Sequence, residues 1–489
     1  MRRELIQIIV QPARCKYHFL QPASAFMPEE HIATGEPGVT SKTFRRMIMT
    51  ASLCAGTLAA PQAKAIPAFA AQTGEPCSAC HIGFPQLTAY GRLFKLQGYV
   101  AGGHTPTFKN LAAMIQAGYT YLGKSVPGGL APDYPDNNAV SAQQISLFYG
   151  GALYAPIGLG AFVQGTFDGV AHQFHWDNLD IRLARPAQAF GMPLYYGFTF
   201  NNNPGVTDLW NTPPAWGYPY IADELGVGNA AGVQLSSLGQ SVYGAGAYAA
   251  LNITPSNMLY AEMDLYEPVP NHTAYALGVG PEVPISGVIP YWRIALQHSW
   301  GASSLEVGAL GLIDNPYPAG YMHGPSDQIV DVGLDSQFQW ITLNHALSLQ
   351  ALYVHETQHW DASYALGQAS NPTDRLDEVT LTASYLYKQW LGFTESYTGI
   401  TGNADPALYA PAPVAGSANG KPNTTSFTTE LDYYPWNDGG PAFFPWMNAK
   451  FFVENTYYPV FNGLAHNYDG YGRNASGNDV LFAGIWLVF

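Results

Sequence analysis

From about Phe108 onward, apolar and polar residues alternate in short runs separated by clusters of Gly, Pro, Asn and Asp, a pattern that predicts β-strands joined by turns. In 111–122 one face carries Leu111, Ala113, Ile115, Ala117, Tyr119 and Tyr121, and the other carries Ala112, Met114, Gln116, Gly118 and Thr120. Leu179, Ile181 and Leu183 alternate with Asp180 and Arg182. Trp292, Ile294 and Leu296 alternate with Arg293 and Gln297, and Val330, Val332 and Leu334 with Asp331 and Asp335. Charges set between apolar neighbours need a wet interior, so one face suits lipid and the other a lumen. On this register Ile181 faces lipid and Asp180 the lumen, and a lysine should be tolerated far better at position 180 than at 181.

The chain ends in a strand pattern with Leu481, Ala483, Ile485, Leu487 and Phe489 on one face. Its terminal aromatic, with Gly484 five residues earlier, resembles the assembly signal of bacterial outer-membrane barrels. Residues 108–489, at about 48 residues per hairpin with short turns and long outer loops, give about 16 strands. The expected fold is an all-β transmembrane barrel of about 16 antiparallel strands, preceded by a short α-helical segment. An even strand number places both chain ends in the periplasm.

Composition agrees with a barrel: 14% of residues are aromatic and only 11% charged, and no apolar run after residue 65 is long enough for a membrane helix. Lys42, Arg45 and Arg46 precede the apolar run 47–60 and an Ala63-Lys64-Ala65 cleavage pattern, which together read as a secretory signal peptide. Residues 1–65 are therefore expected to be extension and signal, with Met27 or Met47 as alternative starts. The remainder keeps 12 basic against 31 acidic residues. That balance excludes a nucleic-acid partner and favours cations and positively charged redox partners.

Between signal and barrel lies 66–107, which contains Cys77-Ser78-Ala79-Cys80-His81. In C-x-x-C-H two thiols add to haem vinyl groups while the adjacent imidazole ligates the iron. A zinc half-site would want further Cys or His nearby, and a thioredoxin-like pair would want a βαβ context. Neither is present, and Cys15 and Cys54 fall before the cleavage site, so an isolated disulfide is the remaining alternative. Pro85 can start a helix carrying Leu87, Tyr90, Leu93, Phe94 and Leu96, with Gly98 as its stop. So short a segment cannot enclose a haem by itself, so the periplasmic mouth of the barrel is expected to complete the pocket.

These residues resemble the fused monohaem cytochrome-porins of the outer membrane known as iron oxidases. The matching run is Ala68-Phe69-Ala70-Ala71-Gln72-Thr73-Gly74, then Cys77 to His81, Phe84-Pro85-Gln86-Leu87-Thr88, and Gly91-Arg92-Leu93-Phe94-Lys95-Leu96-Gln97-Gly98-Tyr99. The stretches Asn201-Asn202-Asn203-Pro204 through Trp210-Asn211 to Pro214-Ala215-Trp216, and Tyr468-Asp469-Gly470-Tyr471-Gly472-Arg473-Asn474-Ala475-Ser476, also look like family features. The resemblance implies one covalent haem c and an outer-membrane oxidoreductase. It would take one electron from extracellular Fe(II) and pass it to a periplasmic cytochrome c or blue-copper acceptor.

Cys77 and Cys80 are the expected attachment points and His81 the proximal ligand. Met114, on the lumenal face of the first strand, and His104 are the nearby candidates for the sixth position. His/Met ligation raises the haem potential, as an acceptor for ferrous iron in acid requires, and this favours Met114. An Fe(II) contact wants hard oxygen ligands. Asp208, beside Trp210, is the candidate, ahead of the strand carboxylates Asp180, Glu262, Asp264, Asp331 and Asp335. His172, His175, His355 and His359 read as interfacial or loop residues. The competing classes are a diffusion porin with a structural or sensory haem, and a reductase that exports electrons.

Overall fold

The computed structural model describes residues 67–103 and 107–489. The signal pattern, Cys15, Cys54 and His104 lie outside the described residues. Three helices come first: α1 (Pro67–Thr73), the single turn α2 (Cys77–Cys80) and α3 (Ala89–Leu96). Sixteen strands follow: β1 (Leu111–Leu122), β2 (Ala139–Tyr154), β3 (Leu159–Asp168), β4 (Gln173–Ala189), β5 (Met192–Asn201), β6 (Val242–Thr254), β7 (Asn257–Pro268), β8 (Ile289–Trp300), β9 (Ser303–Asp314), β10 (Gln328–Ile341), β11 (His345–His359), β12 (Thr373–Tyr387), β13 (Leu391–Gly402), β14 (Thr424–Tyr433), β15 (Asn448–Val460) and β16 (Val480–Val488). Each strand pairs antiparallel with its sequence neighbours, and β1 pairs with β16 to close the barrel. Gln116 stands opposite Trp486 in that seam. Closure removes both open edges, which a sheet in lipid cannot leave unpaired.

The period-two pattern sets the faces. Asp180, Arg182, Arg293, Asp331 and Asp335 are buried toward the lumen, while Ile294, Leu296, Val332 and Leu334 are exposed on the outside. Exposed aromatics gather near both rims: Trp300, Trp340, Tyr385 and Tyr433 at one, and Tyr119, Tyr121, Phe167 and Phe174 at the other. An apolar belt between two aromatic girdles is the wall of a transmembrane barrel.

The two rims differ. At the rim where β1 begins and β16 ends, most turns are short, as at 190–191, 255–256 and 301–302, with 434–447 the longer exception. At the other rim most connections are long, including 123–138, 269–288, 403–423 and 461–479. The longest, 202–241, turns inward: Trp210, Asp208 and Thr212 are all buried, and they bond to residues of β8 and β10 across the lumen.

Candidate functional site

The site is built on the tight packing of α2 against α3. In α2 the His81 amide donates to the Cys77 carbonyl at 2.8 Å. The chain then doubles back, so that Ile82 N bonds Gln86 O at 3.0 Å and Thr88 N bonds Cys80 O at 2.9 Å. Thr88 caps α3 by accepting from Gly91 N at 3.2 Å, and its hydroxyl donates to Ala79 O at 2.5 Å. The helix therefore starts at Ala89 and not at Pro85, because a capping hydroxyl stabilises the first turn better than a proline whose neighbours are held in the preceding turn. A Cβ on Gly91 would lie 2.3 Å from the Cys80 carbonyl oxygen, so the approach of α3 to the cysteine turn demands glycine there. Gly98, with φ +71°, follows the helix end as expected.

Cys77 and Cys80 are buried and no disulfide joins them. Burial pushes both thiols up to about 12, the opposite of the depressed value of a reactive thioredoxin-type thiol. Burial also holds the His81 imidazole down at about 4, hence neutral near neutral pH. Its Nδ1 lies 3.2 Å from the Pro85 carbonyl, which places the proton on Nδ1 and leaves the Nε2 lone pair free for a metal.

Two clefts meet at His81. The first, about 640 Å³, is bordered by Phe69, Cys80, His81, Phe94, Lys95 and Trp216. The second, about 1000 Å³, is bordered by His81, Phe84, Met114, Phe148, Phe162 and Trp216. The second reaches the rim where β1 begins and β16 ends, since Val488 and Ala112 border it, and runs inward to Gln116, Gln144 and Asp177. His81 and Met114 thus share a cleft, and the Met114 thioether is the sulfur on the second cleft's wall. Its Sδ accepts only a long contact from Gln116 Nε2, at 3.7 Å.

Beyond the clefts, α3 and loop 202–241 occupy part of the lumen and leave a cavity bordered by Asn211, Thr212, Tyr218, Gln350 and Glu378. Arg92 donates to Gln339 Oε1 at 2.5 Å and Gln337 Oε1 at 3.3 Å on β10. Lys95 donates to the Asp208 carbonyl at 2.6 Å. Arg293 on β8 binds Asp335 at 2.6 Å, Glu306 at 3.2 Å and Asp208 at 3.2 Å. Gln350 Nε2 donates to Trp210 O and Asn211 O at 2.9 and 2.8 Å. Loop 202–241 and α3 are in this way fastened to the wall and to each other.

Asp208 is accordingly a scaffold residue and not an open iron contact. One oxygen pairs with Arg293, and the other accepts from Trp210 N at 2.9 Å and Thr212 N at 3.3 Å. The strand carboxylates face the lumen as expected but are also engaged. Asp180 binds Arg182 at 2.7 Å and Tyr99 Oη at 2.5 Å, Glu262 accepts from Tyr260 Oη at 2.8 Å, and Asp264 accepts from Tyr266 Oη at 3.0 Å. Asp331 accepts from Leu235 N at 2.7 Å, and Asp335 belongs to the Arg293 cluster. Among the described residues no group of three or more His, Cys, Asp or Glu is placed to hold a metal ion. His172 sits in the turn after β3, His175 on β4, and His355 and His359 share the half-exposed outer face of β11.

Sequence reasoning missed Arg92 and Lys95, which an amphipathic reading sends to solvent. Both are buried, because α3 lies in a lumen whose wall is polar. The cue was present: two of the few cations after residue 65 stand three apart on one short helix, hence on one face.

No protein-family model matches the chain and no curated protein sequence matches it. Among solved structures the chain is similar to OmpT of Vibrio cholerae, at 10% identity and TM-score 0.40, over 78% of this chain and 96% of that one. It is likewise similar to the outer membrane channel DcaP of Acinetobacter baumannii, at 12% identity and TM-score 0.41, over 78% and 96%. OmpF of Salmonella typhi, in complex with Daunomycin, is 10% identical with TM-score 0.41, over 78% and 97%.

Proposed function

We propose that this protein is an outer-membrane c-type cytochrome built into a barrel, which takes one electron at a time from extracellular Fe(II) and delivers it to a periplasmic cytochrome c or blue-copper carrier. The observation that carries the reading is the cleft reaching one rim of the barrel, bordered by both His81 and Met114, with Cys80 on the adjoining cleft that His81 also borders. The residues present fit a covalently attached haem. The clefts are bordered mainly by apolar side chains, the Cys80 thiol borders the first beside a neutral imidazole with a free Nε2, Cys77 stands on the same single turn as Cys80, and Met114 borders the second cleft with His81. A buried Trp486 indole N–H, which no protein acceptor satisfies, borders the second cleft and suits an acceptor on an occupant.

When bound, haem c supplies a ferric/ferrous couple that exchanges single electrons. Cys77 and Cys80 would tether it, so residues 66–107 would form the monohaem segment. His81, steered by Pro85 O, and Met114 would hold its iron, a nitrogen and thioether donor set that favours a high potential. Trp216 and Phe162, which border both clefts, would limit water at the site. Short turns at the cleft's rim and long loops at the other match the periplasmic and extracellular sides of an outer-membrane barrel. The cleft then faces the periplasmic carrier, and the acidic chain attracts Fe(II) from outside. Each Fe(II) leaves as Fe(III) after giving up one electron, outside the periplasm.

A wide diffusion pore is poorly served by this interior, since loop 202–241 is tied to β8 by the buried Asp208–Arg293 pair and to α3 by the hydrogen bond from Lys95 to Asp208 O. The test is acid-acetone extraction followed by stopped-flow mixing of the ferric protein with Fe(II). Haem retained after extraction and reduced by Fe(II) in the wild type, with His81→Ala unreactive, is the expected result. Absence of covalent haem, or a haem that Fe(II) leaves ferric, contradicts the proposal.

A further inference from the structure

Lys95 is a buried cation with no ion-pair partner among the described residues. Its residue is 6% exposed, and among the described residues no carboxylate oxygen lies within the 4.0 Å of an ion pair. The other deeply buried cations differ: Arg182 has Asp180, Arg293 has Asp208, Glu306 and Asp335, and Lys450 has Glu430 and Asp432. Arg92 and Arg473 also lack a carboxylate at ion-pair distance, but Arg92 donates through Nη1 and Nη2 to Gln337, Gln339, Leu87 O and Ser304, Arg473 donates to Asn478 and to the carbonyls of Lys124, Ser125 and Gly477, and neither borders a cleft. The Lys95 ammonium makes one hydrogen bond, to Asp208 O at 2.6 Å, and lies 4.9 Å from the Trp216 ring centre. Burial, and then the nearby Arg182, pull its pKa down to about 7 against the opposing fields of Asp180, Asp208 and Glu262, none of which reaches ion-pair distance.

Its position shows where compensation would come from. Of the residues bordering the two clefts, Lys95 is the cationic one, and it stands on the first cleft beside Cys80, His81 and Trp216. That cleft is otherwise mostly apolar, offering little else to a carboxylate. A haem has two propionate carboxylates on the edge away from its thioether links, and a buried propionate needs a cation or donors.

Building on the haem reading above, we infer that Lys95 is the cation that binds a haem propionate in the first cleft, with Asp208 O holding the ammonium in place. Loop 202–241 then supports the cofactor as well as occupying part of the lumen, since it supplies both Asp208 and Trp216. A cation next to a propionate cancels negative charge that would otherwise favour the ferric state. Lys95 is therefore a positioning residue that also raises the potential.

Three variants in the intact haem-loaded protein test this. Lys95→Gln keeps a donor for Asp208 O and loses the charge, Lys95→Met loses both, and Lys95→Arg keeps the charge. The readouts are the haem midpoint potential and the redox-difference infrared spectrum of protein carrying propionate-labelled haem. Lys95→Gln and Lys95→Met should both lower the potential and move the propionate carboxylate band, while Lys95→Arg should leave both near wild type. If Lys95→Gln retains its haem with potential and band unchanged, Lys95 is only a pin for the loop and the inference is overturned. A wild-type protein with no covalent haem overturns the haem reading and this inference together.

Discussion

Replacing Arg293 with methionine should release loop 202–241 from the barrel wall. Arg293 is 1% exposed and faces three carboxylates, Asp335 at 2.6 Å, Glu306 at 3.2 Å and Asp208 at 3.2 Å. At about 3 Å and an effective dielectric constant of about 20, each pair has a gross attraction of roughly 5 kcal/mol. Desolvation offsets much of this, and removing one member of a buried pair costs about 3–5 kcal/mol. Arg293→Met should sit at the upper end, because it leaves three buried carboxylates with no ion-pairing cation among the described residues. Adding Asp335→Asn and Glu306→Gln should recover part of the loss by removing the repulsion. The assay is urea unfolding in lipid vesicles, followed by the loss of the compact band on unheated gels. Single-channel recording adds a second readout, since Asp208 belongs to the loop and a loosened loop raises conductance. Arg293→Met within about 0.5 kcal/mol of wild type, with conductance unchanged, would refute the view that this cluster fastens the loop.

Met114→His should lower the haem midpoint potential and abolish the methionine-sulfur-to-iron charge-transfer band, because axial ligand identity is a large lever on potential; an unaltered potential removes Met114 as a ligand. Gly91→Ala places a methyl against the Cys80 carbonyl at 2.3 Å, so haem attachment should fall sharply, as read by haem staining of denatured protein. Leu334→Lys, midway along β10 on the outer face, should cost about 2–4 kcal/mol in a folding assay, whereas Val140→Lys at the outer rim should cost about 1 kcal/mol or less. Equal costs at the two positions would contradict the membrane placement.

The barrel was legible because lipid outside and polar groups inside impose a strict period of two, which Met114, Asp180, Ile181 and Asp335 each obey. What those lumenal side chains do was not legible. Asp180 was expected to tolerate lysine, yet it is fully buried against Arg182 and Tyr99, so Asp180→Lys sets two cations together and should be costly. The same holds for Asp208, read as an open ligand and found capping a loop. Both depend on partners more than 80 residues away, Tyr99 with Asp180 and Arg293 with Asp208, contacts that no local pattern records. The burial of Arg92 and Lys95 was not legible either, since amphipathicity reports which helix face is polar and not whether the surroundings are water or a polar lumen.

The most direct test of the account is electron transfer across a sealed membrane. The protein is reconstituted into vesicles with the cleft rim inward and oxidised cytochrome c trapped inside, and Fe(II) is added outside. The account predicts reduction of the trapped cytochrome in step with Fe(II) loss, abolished by Cys77→Ala with Cys80→Ala and by His81→Ala in assembled barrels. Reduction that persists in those variants, or wild-type vesicles that conduct solutes while the cytochrome stays oxidised, would contradict it.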